Sequence, residues 1–232
     1  VVYSSTKGIS GHGNVVSGLI VDGGHFDWAG GKFPQFEENE FILKSADHPK
    51  HYSFIDVYGK RAYIKRIRQK YLRLMGAVLA PFEAYLELVG LETITERLDK
   101  EVATSLKIAN YLQTNPHVKA VYYTGLPDSD QYDLAKVAFP KGIGTVLSFE
   151  LDGTAEQTAT VVDSVKLFLY LPNVGDSRSL IVNPIKITHR EVPVKRRAAS
   201  HITDQLLRLS IGLEDSDDLI ADLDQAISTA FK

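Results

Sequence analysis

From residue 117 onward the chain switches repeatedly between two hydrophobic periods, and that switching confines it to a layered α/β fold. "VKAVYYTG" and "GTVLSFEL" are short runs of β-branched and aromatic residues bounded by turn formers, a pattern that predicts strands. "EQTATVVDSVKLF" reads as a helix, "SLIVNP" and "QLLRLSIGLE" as strands, and "DSDDLIADLDQAISTAF" as a terminal helix. Acidic residues open that last helix, where they oppose the positive end of its dipole. "LEDSDDLIADLD" resembles a calcium loop in charge alone, because the central glycine is missing, so helix capping explains it better.

The preceding stretch is helical in period. Ile64, Ile67, Tyr71, Leu74 and Val78 recur at spacings of three and four and predict a helix over 62–89, broken or restarted at Pro81. A second helix is expected over 91–113, carrying Leu98, Val102, Leu106, Ala109 and Leu112 and stopping at Asn115-Pro116. At the front, Val1–Tyr3 ends one strand and Val15–Val21 forms the next, broken by Gly23-Gly24. Residues 25–60 are rich in Gly, Pro and aromatics, including His25, Phe26, Trp28, Phe33, Pro34 and Phe36. Disordered segments carry few aromatics, so a long ordered loop is expected there.

Composition removes several function classes. The net charge of −3 and a pI of about 6.2 argue against a dedicated nucleic-acid binder. The basic run Lys60, Arg61, Lys65, Arg66, Arg68, Lys70 and Arg73 reads instead as a solvated helix face. Cysteine is absent, which excludes disulfides, thiolate metal sites and thiol nucleophiles. Seven histidines are scattered without metal-ligand spacing, so no metal is expected. No apolar run is long enough to span a membrane, and the front lacks a signal-peptide pattern, which fits a cytoplasmic setting. The chain lacks an initiator methionine and its sole methionine is Met75, so this start is not expected to be the natural one.

Two places suggest chemistry. In "VVYSSTKGISGHG", Ser4, Thr6 and Lys7 end a strand, and Gly8, Gly11 and Gly13 follow. Hydroxyls beside a glycine-rich turn can bind a phosphate, and a lysine there can act as a point charge or a covalent nucleophile. The glycine spacing is neither a dinucleotide nor a Walker fingerprint, and spacing alone favours an ordinary surface turn with a solvated lysine. The second place is Arg208, a lone guanidinium inside the apolar "QLLRLSIG". Such a charge must meet water or an anion, either as an edge-strand arginine or as a bidentate carboxylate clamp. His12 and His189 matter only because each adjoins another candidate.

Taken together these residues resemble the Cys/Met-metabolism enzymes that depend on pyridoxal phosphate. "SSTKGISGHG" is similar to their cofactor-lysine segment, and "LIVDGGHFDWAGGKFPQF" resembles the O-acetylhomoserine sulfhydrylase branch. "GAVLAPFEAYLELVGLETITERLDK" resembles their interdomain helix. "NVGDSRSLIVNP", "THR" and "LLRLSIGLEDSDDLIADLDQA" resemble their carboxy-terminal domain. The resemblance implies a fold type I pyridoxal-phosphate-dependent transferase of the α/β class. It divides the chain into the end of a large cofactor-binding domain (1–65), an interdomain helix (66–90) and a smaller carboxy-terminal α/β domain (91–232).

It also implies roles. Lys7 would hold pyridoxal 5'-phosphate covalently, and Ser4 and Thr6 would hold the cofactor's phosphate. Arg208 would clamp the substrate α-carboxylate, with Ser179 near it. Gly8 departs from the aromatic residue that often follows the family lysine. The implied reaction is γ-replacement on O-acetylhomoserine by a sulfur nucleophile, giving homocysteine for methionine biosynthesis. The donor is left open among sulfide, a thiol and a sulfur-carrier protein. Cystathionine γ-synthase or a γ- or β-lyase is the alternative within the family, and an inactive fragment or non-enzymatic α/β scaffold the alternative outside it. The family's pyridine-pairing aspartate, ring-stacking aromatic and cross-subunit residues all precede its lysine, and Asp22 is no positional match. An amino-terminal part carrying them is therefore expected, as is a homotetramer built from dimers.

Overall fold

The computed structural model describes residues 1–44 and 52–232, so part of the expected 25–60 loop lies outside the described residues. The chain divides into two compact units: Val1–Ser4 with Ser17–Ala84, and Ser5–Val16 with Tyr85–Lys232.

In the first unit, β1 (Val2–Tyr3) pairs antiparallel with β2 (Leu19–Ile20). The expected strand over 15–21 thus shrinks to two residues. The stretch from 25 onward is not a structureless loop. Its aromatics form a small core in which Trp28 stacks on Tyr63 at 4.8 Å and 6°, with Phe33 and Phe36 beside it and Phe54 fully buried. Burying these rings orders short helical turns at Pro34–Phe36 and Phe41–Leu43, and the helix α1 (Phe54–Tyr58). Ser53 and Asp56 close α1 with a reciprocal capping box.

The helical stretch expected over 62–89, with its break at Pro81, is interrupted earlier as well. It runs as α2 (Ala62–Arg66), a π-helical stretch at Ile67–Leu72 and α3 (Arg73–Met75), and stops at Gly76 in the left-handed conformation. It restarts as α4 (Pro81–Glu92), as Pro81 predicts. The basic face is also not uniformly solvated. Arg66 is buried, pairs with Glu40, and lies 5.4 Å from the Phe54 ring centroid. Lys70 reaches the same carboxylate at 2.5 Å. Burial opposes ionisation of Glu40, but the hydrogen bonds and charges of Lys70 and Arg66 hold its carboxyl below the usual range.

The second unit is the α/β layer structure read from the periodicity. After α5 (Ile94–Thr114) come β3 (Val118–Tyr122), α6 (Tyr132–Ala138), β4 (Val146–Leu151), α7 (Ala155–Ser164) and β5 (Leu169–Tyr170). β6 (Leu180–Val182), α8 (Val194–Ala199), β7 (Leu206–Ser210) and α9 (Ser216–Ala230) complete it. The sheet order is β3-β4-β7-β6-β5, antiparallel except for the β5–β6 pair. Leu147, Phe149, Leu151, Leu207 and Leu209 alternate onto one face of the sheet. Ile108, Ala109 and Leu112 of α5, Val161 of α7 and Leu219, Leu223, Ala226 and Ile227 of α9 join them in one core. The intervening positions, Ser148, Glu150, Arg208 and Ser210, take the opposite face. This is why an arginine can interrupt an apolar strand without entering the core.

Several features escape the periodicity, α6 and α8 among them. The helix expected to reach Phe168 ends at Ser164, and the next residues become the short strand β5. Asp222 of α9 causes that turn. Its buried carboxylate accepts the backbone N–H groups of Lys166, Leu167 and Phe168 at 2.8–3.3 Å and the Gln225 amide at 3.1 Å. No described helix is long and apolar enough to cross a membrane. Replacing Asp222 with alanine strips three backbone donors of their acceptor. It should destabilise the fold by about 2–4 kcal/mol, measured by denaturant unfolding, whereas a loss under about 0.5 kcal/mol would mean that water replaces the carboxylate without penalty.

Candidate active site

Lys7 lies in a tight turn of the second unit. Ser10 N–H donates to the Ser5 carbonyl at 2.9 Å and Gly11 N–H to that of Lys7 at 2.8 Å. Gly11 and Gly13 take positive φ, which other residues adopt at a cost. Outside this turn stands Arg97 of α5, only 4% exposed. Its guanidinium donates to the carbonyls of Gly8 (3.1 Å), Ile9 (3.2 Å) and Gly90 (2.7 Å), and its Nε donates to Thr93 Oγ1 (3.2 Å). One side chain thus ties the lysine turn to α4 and α5. The approach is close: a Cβ added to Gly90 would collide with the Ser10 carbonyl oxygen.

The loop leading into β6 covers the turn from another direction. Ser177 N–H donates to the Gly11 carbonyl at 2.8 Å. Gly175, at positive φ, passes so near Gly8 that a Cβ would meet its amide nitrogen at 2.6 Å. Asn173, two residues earlier, joins the two strongest sequence candidates. Its side-chain oxygen accepts from the Lys7 ammonium at 2.5 Å, and its backbone carbonyl accepts from the Arg208 guanidinium at 3.4 Å.

Arg208 lies mid-strand in β7, with Ser148 of β4 and Val182 of β6 as its cross-strand partners. It is partly buried, and burial pulls its guanidinium below its ordinary pKa. Among the described residues no carboxylate lies within ion-pair distance of it. A half-buried guanidinium whose partner among the described residues is a carbonyl can receive a carboxylate.

The other candidates are placed differently. Thr6, half-buried, precedes Lys7 directly in the second unit. Ser4 is exposed and belongs to the first unit. Ser179 is fully buried and its hydroxyl is committed: it donates to Glu214 at 2.7 Å and accepts the Gly212 N–H at 2.9 Å. His12 is exposed, with Nδ1 2.5 Å from the Ser10 carbonyl oxygen. His189 is half-buried beside the Thr188 hydroxyl. Among the described residues no group of acidic or histidine side chains could hold a metal ion.

Three residues escaped the sequence reading: Asn173, Arg97 and Glu101. Asn173 sits within "NVGDSRSL", where polar residues look like ordinary turn formers. Arg97 and Glu101 sit in an amphipathic helix, where charges normally face water. Glu101 is 1% exposed, and neither carboxyl oxygen has a hydrogen-bond partner. Burial pushes its pKa up to about 7; the Arg97 charge pulls it down, and Asp176 and Glu214 push it further up.

The sign of the resulting pH dependence follows from proton counts. Between the unfolded value of 4.5 and the folded value of about 7, the native state holds a proton that the unfolded chain has released. Stability therefore falls as pH rises through this window, by up to about 3 kcal/mol. Denaturant unfolding at a series of pH values should show this fall, and Glu101→Gln should flatten it; equal slopes in the two proteins would exclude Glu101 as its source.

A family model for Cys/Met metabolism PLP-dependent enzymes matches residues 1–228. The homocysteine/cysteine synthase of Kluyveromyces lactis is 38% identical over all of this chain and 53% of its own length. A solved structure from Campylobacter jejuni, described as an O-acetylhomoserine (thiol)-lyase, carries N'-pyridoxyl-lysine-5'-monophosphate. It superposes with a TM-score of 0.87 at 33% identity, over 98% of this chain and 53% of its own. A cystathionine γ-lyase from Micromonospora echinospora gives 0.75 at 28% identity, over 98% of this chain and 50% of its own. The chain spans about half the length of the relatives it matches.

Proposed function

Because the chain belongs to the Cys/Met metabolism PLP-dependent enzymes, we propose that it supplies the lysine and carboxylate-binding half of a site for γ-replacement on O-acetylhomoserine. A sulfur nucleophile is the second substrate and homocysteine the product. The observation that carries this reading is the single junction at Asn173, which meets the Lys7 amine on one side and the Arg208 guanidinium on the other.

The residues fit the cofactor's chemistry. The Lys7 amine rests on a neutral amide oxygen and, among the described residues, forms no ion pair, so it can be given up to a carbonyl group. Pyridoxal phosphate, when bound, supplies an electron sink that stabilises negative charge at the substrate Cα. Lys7 would hold it covalently, and the family resemblance would assign its phosphate to Thr6 and Ser4. Arg208 grips the α-carboxylate through two parallel N–H bonds, which fixes the amino acid's orientation. With substrate bound, the Lys7 amine would be the base that moves a proton at Cα and then serves Cβ. Asn173 gives that amine a resting place between proton transfers. Ser179, through Glu214 and Gly212, keeps the 173–179 loop in register.

The homocysteine/cysteine synthase name of the K. lactis relative supports replacement over elimination, and the C. jejuni structure superposes more closely than the γ-lyase. A side-by-side assay of O-acetylhomoserine, O-succinylhomoserine and cystathionine with the full-length gene product tests this. Highest kcat/KM should fall on O-acetylhomoserine with a sulfur nucleophile present. Preferred turnover of cystathionine without added sulfur would overturn replacement in favour of elimination. Arg208→Ala should lower kcat/KM about a hundredfold or more while the bound cofactor's absorbance persists. Unchanged kinetics would remove Arg208 as the carboxylate clamp.

A further inference from the structure

Glu101 has no part in the chemistry above, yet it is the most conspicuous buried group in the second unit. One helical turn from Arg97 on α5, it is sealed from water, and its two oxygens meet no donor. A carboxylic acid can remain in such a place while neutral; a carboxylate cannot stay there without donors. Three charged groups act on it. Arg97 lies on its own helix, Asp176 on the loop entering β6, and Glu214 on the loop leaving β7. Asp176 is engaged by Arg178, with bonds of 3.0 Å to each carboxylate oxygen, and also feels the charge of His12. The Glu214 carboxylate is engaged by Ser179. Both acids repel a second negative charge, and Arg97 is the only cation among the three.

We propose that Glu101 and Arg97 form a proton-operated latch on the turn that carries Lys7. With Glu101 neutral, the guanidinium stays on the carbonyls of Gly8, Ile9 and Gly90 and holds the turn closed. When Glu101 loses its proton, its carboxylate is a stronger acceptor than any peptide carbonyl, and it stands one helical turn from Arg97, whose charge already acts on it. Arg97 then moves toward Glu101, and the Gly8 and Ile9 carbonyls lose their donors. The proton passes to solvent and no covalent bond changes. Arg97 and Glu101 are thus positioning residues that act on the cofactor lysine through the backbone. That consequence rests on the assignment of Lys7 above; the latch itself does not.

Hydrogen exchange of the turn amides separates the two. Ser10 and Gly11 N–H groups close the turn on Ser5 and Lys7, and their protection reports whether it is shut. In the cofactor-free full-length gene product, corrected for intrinsic exchange, protection should fall about fivefold or more between about pH 6 and about pH 8. In Glu101→Gln it should stay level at its low-pH value. Asp176→Asn keeps Glu101 but removes one repelling charge and leaves the Arg178 cation unpaired, so the midpoint should move to lower pH. A midpoint that stays or rises counts against the latch. Wild-type protection that does not change with pH, or a Glu101→Gln variant that follows the wild-type fall, overturns it. If the latch holds but no cofactor attaches to Lys7, the functional reading fails alone.

Discussion

The candidate site depends on one buried guanidinium. Arg97 makes four hydrogen bonds, to Thr93 and the carbonyls of Gly8, Ile9 and Gly90, and so ties a segment near the start of the chain to helices some ninety residues later. A guanidinium suits this task because its planar fork can serve several acceptors in fixed directions while remaining charged. The glycines around it follow from the same contact. Gly90, Gly11 and Gly175 each stand where backbone or guanidinium comes too close for a side chain. With the turn fixed, Lys7 reaches Asn173, and Asn173 reaches Arg208.

The sheet provides the other half of the geometry. Alternation along β7 sends Leu207 and Leu209 into the core and leaves Arg208 on the opposite face, between Ser148 and Val182. The site thus joins a rigid strand to a loop-borne lysine. The strand position is held by core packing, and the lysine by hydrogen bonds. The buried carboxyl of Glu101 stands on the lysine's side of the arrangement, one helical turn from Arg97.

Much of this was legible in the sequence, and the reasons differ by residue. The α/β architecture followed from the alternation of periods because β4, β7, α5 and α9 each bury one well-defined face. Arg208 stood out because a charge in an apolar strand demands an explanation. Lys7 was visible but ambiguous until other residues were set beside it. Glu101 and Arg97 were hidden because an amphipathic helix normally turns its charges outward, and only tertiary contact reveals two that turn inward. Asn173 was hidden because a turn-forming asparagine looks the same whether or not a lysine rests on it. In the first unit, the break at Pro81 was legible, but the π-helical stretch at Ile67–Leu72 and the burial of Arg66 against Glu40 and the Phe54 ring were not, because they rest on tertiary contacts and not on local pattern. β5 escaped because its two residues are set by long-range contacts, the parallel pairing with β6 and the turn before it that Asp222 holds.

The most direct measurement is borohydride reduction of the full-length gene product with bound pyridoxal phosphate, followed by peptide mapping. A pyridoxyl adduct confined to Lys7, and absent when Lys7 is replaced by alanine, is the predicted result. An adduct on any other lysine, or none on a protein that turns over substrate, would contradict the assignment on which the site is built.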